Sequence, residues 1–367
     1  MNLDSLQKIL LKNKIPFVSY RLPREKEIVT LVQSNGLPQE IDIENFDFNM
    51  AGFIISPFCV SEQCKSYFLK PDYIFYNNDI PDEFLQKLSE TQQFIDIEEN
   101  KITDIKTTSV DEYCANVQHA ILEIEDGVFN KVMLSKVRVE NLPDCFEPES
   151  FFASLCEVYT DAMVYFLQIP NVGCWIGATP EPLLIFENEK IKTVSLAGTQ
   201  KATGKAMDEY TWTEKEIDEQ AVVTDFIERT LQNAGVKKYE KTATLNCQAG
   251  NLIHLKTEFQ FAKSVFFRRF HRLLLALHPT PSVGGMPQDR ALNFILDNEQ
   301  HQRAYFSGFL GAININEKTG IYVNLRCLQL FERKVVFYAG AGITISSEDK
   351  AEWEETENKI ETLTNCF

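Results

Sequence analysis

The chain has 367 residues, of which 44% are hydrophobic and 24% are charged, and its formal net charge is −17. This composition is that of a soluble globular protein with enough residues for one large core or two coupled domains. The negative charge excludes broad contact with nucleic acid or anionic lipid, because no basic surface offsets phosphate charge.

The first residues and the cysteines predict a cytoplasmic protein. MNLDSLQKILLKNKIPF lacks the long apolar core and cleavage site of a signal peptide. No apolar run reaches the length needed to cross a bilayer. The nine cysteines are scattered without metal-binding spacing, which is typical of reduced thiols. We therefore expect any metal to be held by oxygen atoms.

Residues 1–110 are predicted to form short strands, such as EIVTLV, FIISPF and YIFY. Turns are predicted at Asn35–Gly36 and Asn77–Asn78. The acidic, polar stretch at 96–112 is a candidate connection to the remainder of the chain, residues 111–367.

After this stretch, helices and strands alternate irregularly. EYCANVQHAILEIEDG predicts a helix that ends at Gly127, and KVMLSKVRVE predicts a strand. Residues 162–198 predict consecutive antiparallel strands, and a long helix follows Trp212. GIYVNLRCLQLFERKVVFYAGAGITI predicts further strands before a final helix. Because no regular βαβ order is present, the predicted class is α+β with large antiparallel sheets.

The final helix contains AEWEETENK (351–359), and helical spacing divides its acidic residues between faces. The predicted buried stripe consists of Trp353, Thr356, Ile360 and Leu363. The predicted solvent face contains Glu354, Glu357 and Glu361. Glu352, Glu355 and Lys359 lie beside the buried stripe, although Glu355 and Lys359 alone are also typical of an i,i+4 surface pair. Ser346 and Asp349 predict a capping box at the start of this helix.

The helix after Trp212 carries carboxylates on its packing face. Its apolar face is predicted to contain Val223, Phe226, Ile227 and Leu231, and its solvent face Glu214, Asp218, Asp225 and Glu228. Glu216 and Glu219 project with the apolar residues, where a carboxylate needs a cation or hydrogen-bond donors. Since no Lys or Arg shares that face of the helix, the pattern favours a functional role. Two Glu-x-x-Glu pairs on different helices suit one Mg²⁺ ion.

The remaining candidates each have a structural alternative. Lys131 is also typical of a solvated strand end, and Glu181 of an exposed turn. The small residues in SLAGT and AGAGI allow either anion contact by backbone N–H groups or close packing. Arg326 lies between apolar neighbours and needs a carboxylate partner. Together these residues supply a base, an acid, a metal site and a carboxylate site, which suit a small dicarboxylated metabolite.

The order of these motifs resembles that of the chorismate-utilising enzymes. The similar segments, from about 112 to 365, are KVMLS, GATPEPLL, SLAGT, W-x₃-E-x₂-E, HPTPSVGG, RAYFSG, VNLRC, AGAGI and EWEETENK. That family comprises isochorismate synthase, salicylate synthase, anthranilate synthase component I and aminodeoxychorismate synthase component I. The resemblance implies two large antiparallel sheets stacked face to face, with helices outside and the active site between them. It also implies that 1–110 is a divergent part of the same fold and 111–367 the chorismate-binding region.

The resemblance further implies Mg²⁺ and a role for each motif residue. By motif position, Glu219 and Glu355 would bind the metal directly, while Glu216 and Glu352 would support its waters and a substrate carboxylate. Substrate contacts are implied for Ala197, Gly198, Thr199, Ser282, Phe306, Arg326, Gly340, Gly342 and Lys359. In this family Lys359 would hold a substrate carboxylate instead of forming a surface pair.

The residue at position 131 distinguishes reactions within the family. Members that use ammonia typically carry a neutral residue there, whereas members that use water carry a lysine as general base. Lys131 therefore implies hydroxylation of chorismate at C2, with Glu181 protonating the departing C4 hydroxyl to give isochorismate reversibly. No glutaminase subunit is then expected. Ala197 also argues against the members that place a nucleophilic lysine in that motif.

Three positions bear on the alternatives. Phe306 favours isochorismate as the final product, because salicylate synthases, which go on to eliminate pyruvate, tend to have tyrosine there. Leu325 is nearer the salicylate synthase pattern, and Gln220 replaces a histidine found in many members. An ammonia-using component and a catalytically silent binding subunit are further alternatives. The menaquinone and siderophore pathways both stay open.

Overall fold

The computed structural model of the protein describes residues 2–81, 83–84, 88, 105–249, 252–262 and 270–367. The helices are α1 Leu3–Lys12, α2 Val110–Glu125, α3 Pro148–Val158, α4 Glu214–Asn233, α5 Phe270–Leu277, α6 Gln288–Asn298 and α7 Asp349–Thr364, with a 3₁₀ turn at Met207–Glu209. The strands are β1 Phe17–Arg21, β2 Ile28–Val32, β3 Gln39–Ile41, β4 Gly52–Ser56, β5 Ser66–Leu69, β6 Tyr73–Tyr76, β7 Lys131–Asn141, β8 Met163–Ile169, β9 Gly173–Thr179, β10 Pro182–Glu187, β11 Lys190–Lys201, β12 Glu240–Lys241, β13 Leu245–Ala249, β14 Leu252–Ala262, β15 Gly285–Met286, β16 Phe309–Ile315, β17 Lys318–Val323, β18 Cys327–Leu330 and β19 Lys334–Ile343. Within these residues, no helix combines the length and apolar character needed to cross a membrane.

The strands form two antiparallel sheets, which confirms the predicted α+β class. Sheet A has the order β15-β7-β19-β18-β9-β8-β1-β2-β6. Sheet B has the order β12-β14-β11-β10-β17-β16-β4-β5-β3, and β13 also pairs with β14. The described strands before residue 110 therefore belong to both sheets. The predicted division of the chain at 110 stays a prediction, and most of the candidate connection at 96–112 lies outside the described residues.

Alternating side chains explain why the two sheets stack. In β8, Met163, Tyr165 and Leu167 pack into the layer between the sheets, together with residues of sheet B such as Leu310. Val164, which lies between Met163 and Tyr165, packs on the outer face of sheet A. Because successive strand residues point to opposite faces, an apolar residue at every position of such a strand gives the sheet two buried faces.

Helices cover the outer face of each sheet. Residues of α1, α3 and α7 pack on sheet A, while residues of α4 and α5 pack on sheet B. The prediction that the first 110 residues are strands overlooks α1. Its signals are local: Asn2 caps the first turn, and Leu3, Leu6 and Leu10 recur at helical spacing and are buried.

The chain crosses between the sheets several times, and two of these crossings are neighbours. It leaves β9 of sheet A for β10 of sheet B at residues 180–181, and it returns from β17 to β18 at residues 324–326. Backbone hydrogen bonds join the crossings: the Val323 N–H donates to the Glu181 carbonyl, and the Ala178 N–H donates to the Arg326 carbonyl, both at 2.9 Å. Glu181 and Arg326 are thereby held side by side where the sheets meet.

Candidate active site

A cavity of about 710 Å³, including its mouth, lies between the sheets beside these two crossings. Most of the predicted site residues form its wall: Glu181, Ala197, Gly198, Thr199, Glu219, Ser282, Phe306, Arg326, Gly340 and Lys359. Lys131 and Gly342 lie behind Glu219 and contact it. The structure therefore brings together segments that are up to 228 residues apart in the sequence, from Lys131 to Lys359.

Lys131 is buried, so the alternative of a solvated strand end is wrong. Its side chain is 1% exposed, and its Nζ donates to Glu219 Oε1 at 2.7 Å. Burial raises the pKa of Glu219, but the charge and hydrogen bond of Lys131 outweigh burial, so the net shift is downward. The cation that Glu219 needs comes from β7, on the opposite sheet from its own helix.

The absence of a side chain at Gly342 makes room for this ion pair. A Cβ atom built there would lie 2.7 Å from Glu219 Oε1 and 3.1 Å from Lys131 Cε. Both distances are shorter than ordinary van der Waals contact. Gly342 thus provides space for the Lys131–Glu219 pair, and the implied substrate contact of its backbone stays a prediction.

Glu181 is a buried carboxylic acid in the cavity wall, and it is not an exposed turn residue. The residue is 4% exposed, and its Oε1 accepts a 3.4 Å hydrogen bond from Thr280 Oγ1. Burial raises its pKa to about 7, against the opposing effects of Thr280 and Lys131. Near neutral pH this side chain can therefore carry a proton and release it, as a general acid must.

Arg326 presents positive charge to the cavity. Its φ is +48°, a strained backbone conformation for a residue with a side chain. Its buried Nη1 has no hydrogen-bond partner among the described residues. Burial lowers its pKa to about 10, so the guanidinium keeps its charge near neutral pH. An unpaired buried guanidinium at a cavity wall is suited to bind a carboxylate.

Helix α7 contributes Lys359 to the cavity wall, whereas its predicted acidic residues Glu352 and Glu355 are not among the lining residues. Lys359 Nζ lies 2.7 Å from Glu355 Oε1, so the i,i+4 pair exists. The same Nζ also donates to the Gly340 carbonyl at 2.7 Å, and the lysine side chain is only 14% exposed. Glu352 is 1% exposed and pairs with Lys215 on α4. Burial and the neighbouring Glu355 raise the pKa of Glu352, although Lys215 opposes them.

Two predictions for α7 are wrong. The helix begins at Asp349 with Glu348 as its N-cap, so Ser346 does not cap it. Glu357, predicted to face solvent, accepts hydrogen bonds from Lys136 and from Arg138 Nη1, the latter at 2.9 Å. These cations lie on β7, and the helix periodicity alone gives no sign of them.

The four predicted metal ligands do not converge in the side-chain positions of this structure. In the part of the chain that is described, no three carboxylate, imidazole or thiol groups are placed to hold one metal ion. Glu219, Glu352 and Glu355 each pair with a lysine. Glu216 accepts hydrogen bonds from the N–H and hydroxyl of Thr213, at the start of α4.

The local chemistry nevertheless suits a hard divalent cation. The charges of Glu352, Glu355 and Glu219 all act on one ammonium group, that of Lys215. Burial is the main cause of the raised pKa of Glu352, and the negative charge of Glu355 adds to it. Carboxylate oxygens are the ligands that Mg²⁺ prefers. Their assignment to Mg²⁺ stays a prediction, as do the chemical roles of the other site residues.

Sequence reasoning missed Lys215 and His254, and it named Gln220 without giving it a contact. Lys215 pairs with Glu352, 137 residues away. His254 lines the cavity, and its Nδ1 lies 2.8 Å from the Gly198 carbonyl. Burial lowers its pKa to about 3, so its imidazole is neutral. Gln220 donates to Ser195 and Thr257 and thus ties α4 to sheet B. A polar residue inside an apolar strand, as in NLIHLKTEF, is the only local signal for His254.

A family model described as chorismate binding enzyme matches residues 32–367, which include the whole cavity wall. The chain belongs to the chorismate-binding enzyme family. Isochorismate synthase EntC of Escherichia coli strain K12 is 28% identical over 209 residues, 55% of this chain and 53% of that protein. The salicylate biosynthesis isochorismate synthase of Pseudomonas aeruginosa is 28% identical over 255 residues, 68% of this chain and 53% of that protein. The chain thus spans about half the length of these curated relatives.

The fold also matches solved members of this family. The structure of the menaquinone-specific isochorismate synthase MenF of Escherichia coli superposes with a TM-score of 0.77 and 17% sequence identity. The match covers 100% of this chain and 91% of MenF. At this level of identity, the likeness shows that the fold is shared, and it extends to the strands of the first 110 residues.

The fit of Gly342 around the buried ion pair gives a testable prediction. We expect Gly342→Ala to separate Lys131 from Glu219 and to lower turnover of the natural substrate by about 100-fold, because small displacements of reacting groups have effects of this size. Gly320→Ala is the matched control, since its added Cβ would meet only the ends of the Tyr322 and Ile185 side chains. Circular dichroism should show both variants folded, and equal activity of the two would contradict the prediction.

Proposed function

We propose that this protein is an isochorismate synthase, which converts chorismate reversibly to isochorismate with the help of Mg²⁺. The observation that carries the proposal is a pair of buried groups beside one cavity: the carboxyl of Glu181 in its wall, whose pKa is raised to about 7, and the amine of Lys131 directly behind Glu219. Lys131 is suited to activate water and Glu181 to protonate a leaving hydroxyl. The family membership and the isochorismate synthases among the relatives support this assignment.

The binding groups suit a dicarboxylate. Arg326 offers an unpartnered Nη1 to the cavity, and Lys359 offers an ammonium held at its rim by Gly340 and Glu355. Chorismate has one carboxylate on its ring and another on its enolpyruvyl group. Two separate cations orient such a molecule, because each carboxylate has its own partner.

The reaction follows from the two buried groups. Lys131 takes a proton from water as the oxygen attacks C2 of the ring. The two ring double bonds then shift toward C4, and the C4–oxygen bond breaks. Glu181 donates its proton to the departing hydroxyl, which leaves as water. One water enters and one leaves, so the product is an isomer of the substrate, and the same groups with exchanged roles serve the reverse reaction.

The residues that would hold Mg²⁺ are Glu219 and Glu355, with Glu216 and Glu352 supporting its waters. Bound there, Mg²⁺ supplies positive charge that neutralises a substrate carboxylate and compensates Glu219. Lys131, held 2.7 Å from Glu219 Oε1, is the residue of this chain assigned to accept the proton of water.

Salicylate synthase is the second candidate function, and Leu325 favours it. This residue lines the cavity beside Phe306. Phe306 stacks on Tyr338 at 5.6 Å between ring centroids, and its own ring carries no hydroxyl. The lack of a hydroxyl at position 306 supports isochorismate as the final product. We also propose that the protein needs no glutaminase and works in the cytoplasm, the latter supported by its nine free cysteines.

A product assay tests the proposed function. Purified protein is incubated with chorismate and Mg²⁺, with or without EDTA, and the products are separated by chromatography. We expect isochorismate with Mg²⁺ and little turnover with EDTA. Salicylate and pyruvate as the main enzymatic products would establish the second candidate. Intact chorismate with Mg²⁺ present would reject both, and full activity of Lys131→Ala would reject the assigned base.

The raised pKa of Glu181 predicts how activity and stability depend on pH. Because the acid must be protonated, kcat/KM should fall as the pH rises above about 7. Glu181→Gln should lower kcat by about 10²–10⁴-fold. The folded state holds this proton more tightly than the unfolded state, so the protein loses stability as the pH rises through about 7.

Glu181→Gln should therefore be more stable than the wild-type protein above pH 7, by on the order of 2–3 kcal/mol in free energy of unfolding. Urea unfolding at pH 5 and pH 8.5 measures this difference, which should be small at pH 5. A variant that is less stable at pH 8.5 would contradict the assigned burial of the charge.

A further inference from the structure

Lys215 is a partly buried lysine on α4 that the proposed reaction does not use. Its Nζ pairs with Glu352, whose side chain is 1% exposed. The charges of Glu355 and Glu219 also act on it. These three carboxylates come from two helices that cover different sheets, α4 on sheet B and α7 on sheet A. The ammonium group of Lys215 therefore contacts one predicted metal-site residue, Glu352, and is near enough to Glu355 and Glu219 for their charges to act on it.

Charge balance explains why a cation is needed at this position. Buried carboxylates that face each other repel, and removing them from water without a counter-charge is costly. Lysine is a flexible chain with a compact charge at its end, so it can fill such a position and also leave it. The Lys215 side chain is 24% exposed, which gives the ammonium a route to solvent from its place beside Glu352.

Lysine and Mg²⁺ exclude each other at such a site. An ammonium group donates hydrogen bonds to the oxygens that a metal ion would need as ligands. Each of the three carboxylates forms an ion pair with its own lysine. In this arrangement the described carboxylates are not placed to share a metal ion. Lys131 and Lys359 have roles in the proposed reaction, whereas Lys215 has none besides this pairing.

We propose that Lys215 is a built-in counter-ion of the metal-free site, which Mg²⁺ displaces when it binds. This inference rests on the proposed Mg²⁺ site. Lys215 keeps α4 and α7 together when no metal is present, and it weakens Mg²⁺ binding because the metal has to eject it. Metal affinity is then set by a residue that is not itself a ligand.

Metal affinity is the first test. Mg²⁺ binding to the chorismate-free protein is measured by calorimetry for the wild type, Lys215→Gln, Lys215→Arg and Lys237→Gln. Lys237 is an exposed lysine just after α4, so its variant makes the same change in net charge away from the site. We expect Lys215→Gln to bind Mg²⁺ about 10-fold more tightly than the wild type, or better, since at these distances one unit charge has effects of this size. The other two variants should bind like the wild type.

The accessibility of the amine is the second test, and it uses the wild-type protein. Lysines are acetylated for short times with and without Mg²⁺, and each site is quantified by mass spectrometry. Lys215 should react faster with Mg²⁺ present, because its ammonium has moved to solvent, while Lys237 should react at the same rate. This measurement keeps the inference testable if Lys215→Gln does not fold.

The outcomes separate this inference from the proposed function. Tight Mg²⁺ binding with equal affinity for Lys215→Gln and the wild type, or an unchanged acetylation rate at Lys215 when Mg²⁺ is bound, would overturn the displacement and leave the metal site intact. No Mg²⁺ binding by any of the four proteins would overturn both. Tighter binding by Lys215→Gln with normal binding by Lys237→Gln would support the displacement, even if the chorismate product proved to be salicylate.

Discussion

One buried ion pair, between Lys131 on sheet A and Glu219 on the helix that covers sheet B, is the constraint on which the rest of the site depends. The 2.7 Å between Lys131 Nζ and Glu219 Oε1 fixes the spacing between sheet A and helix α4 at the cavity. Neither residue can lose its partner without leaving a charge in a poorly hydrated position. The pair also explains why position 342 is a glycine, because a larger residue would occupy the same space. The groups proposed for catalysis are therefore held by an interaction that also stabilises the fold.

The two neighbouring crossings between the sheets position Glu181, the proposed acid, and Arg326, the proposed carboxylate-binding residue. A turn between neighbouring strands of one sheet would lie at its edge, in solvent. Here the strands on either side of Glu181 and of Arg326 belong to different sheets, so both side chains lie in the layer between them. Burial then has a different consequence for each residue. It raises the pKa of Glu181 to about 7, and it leaves Arg326 with an unpartnered donor, Nη1, for a substrate.

Local patterns in the sequence are enough to predict antiparallel sheets, three of the seven described helices and the carboxylates on packing faces. Glu219 stood out because it shares a helix face with Val223 and Phe226, which are buried. Its partner Lys131 could not be recognised in this way, since it is 88 residues away on a strand of the other sheet. The same reason applies to Lys215 and Glu352, and to Glu357 with its cations on β7. Periodicity identifies the buried face of a helix, but only the packing of distant segments decides which charges meet there.

The most direct test of the central claim, that a buried lysine activates water for attack on the ring, is isotope transfer from solvent. The protein is incubated with chorismate and Mg²⁺ in water enriched in ¹⁸O, and the isochorismate is analysed by mass spectrometry. The account predicts one ¹⁸O atom in the new C2 hydroxyl, and label in the C4 hydroxyl of recovered chorismate as the reaction reverses. Isochorismate without label would show that the hydroxyl moves within the substrate, and it would contradict the role given to Lys131.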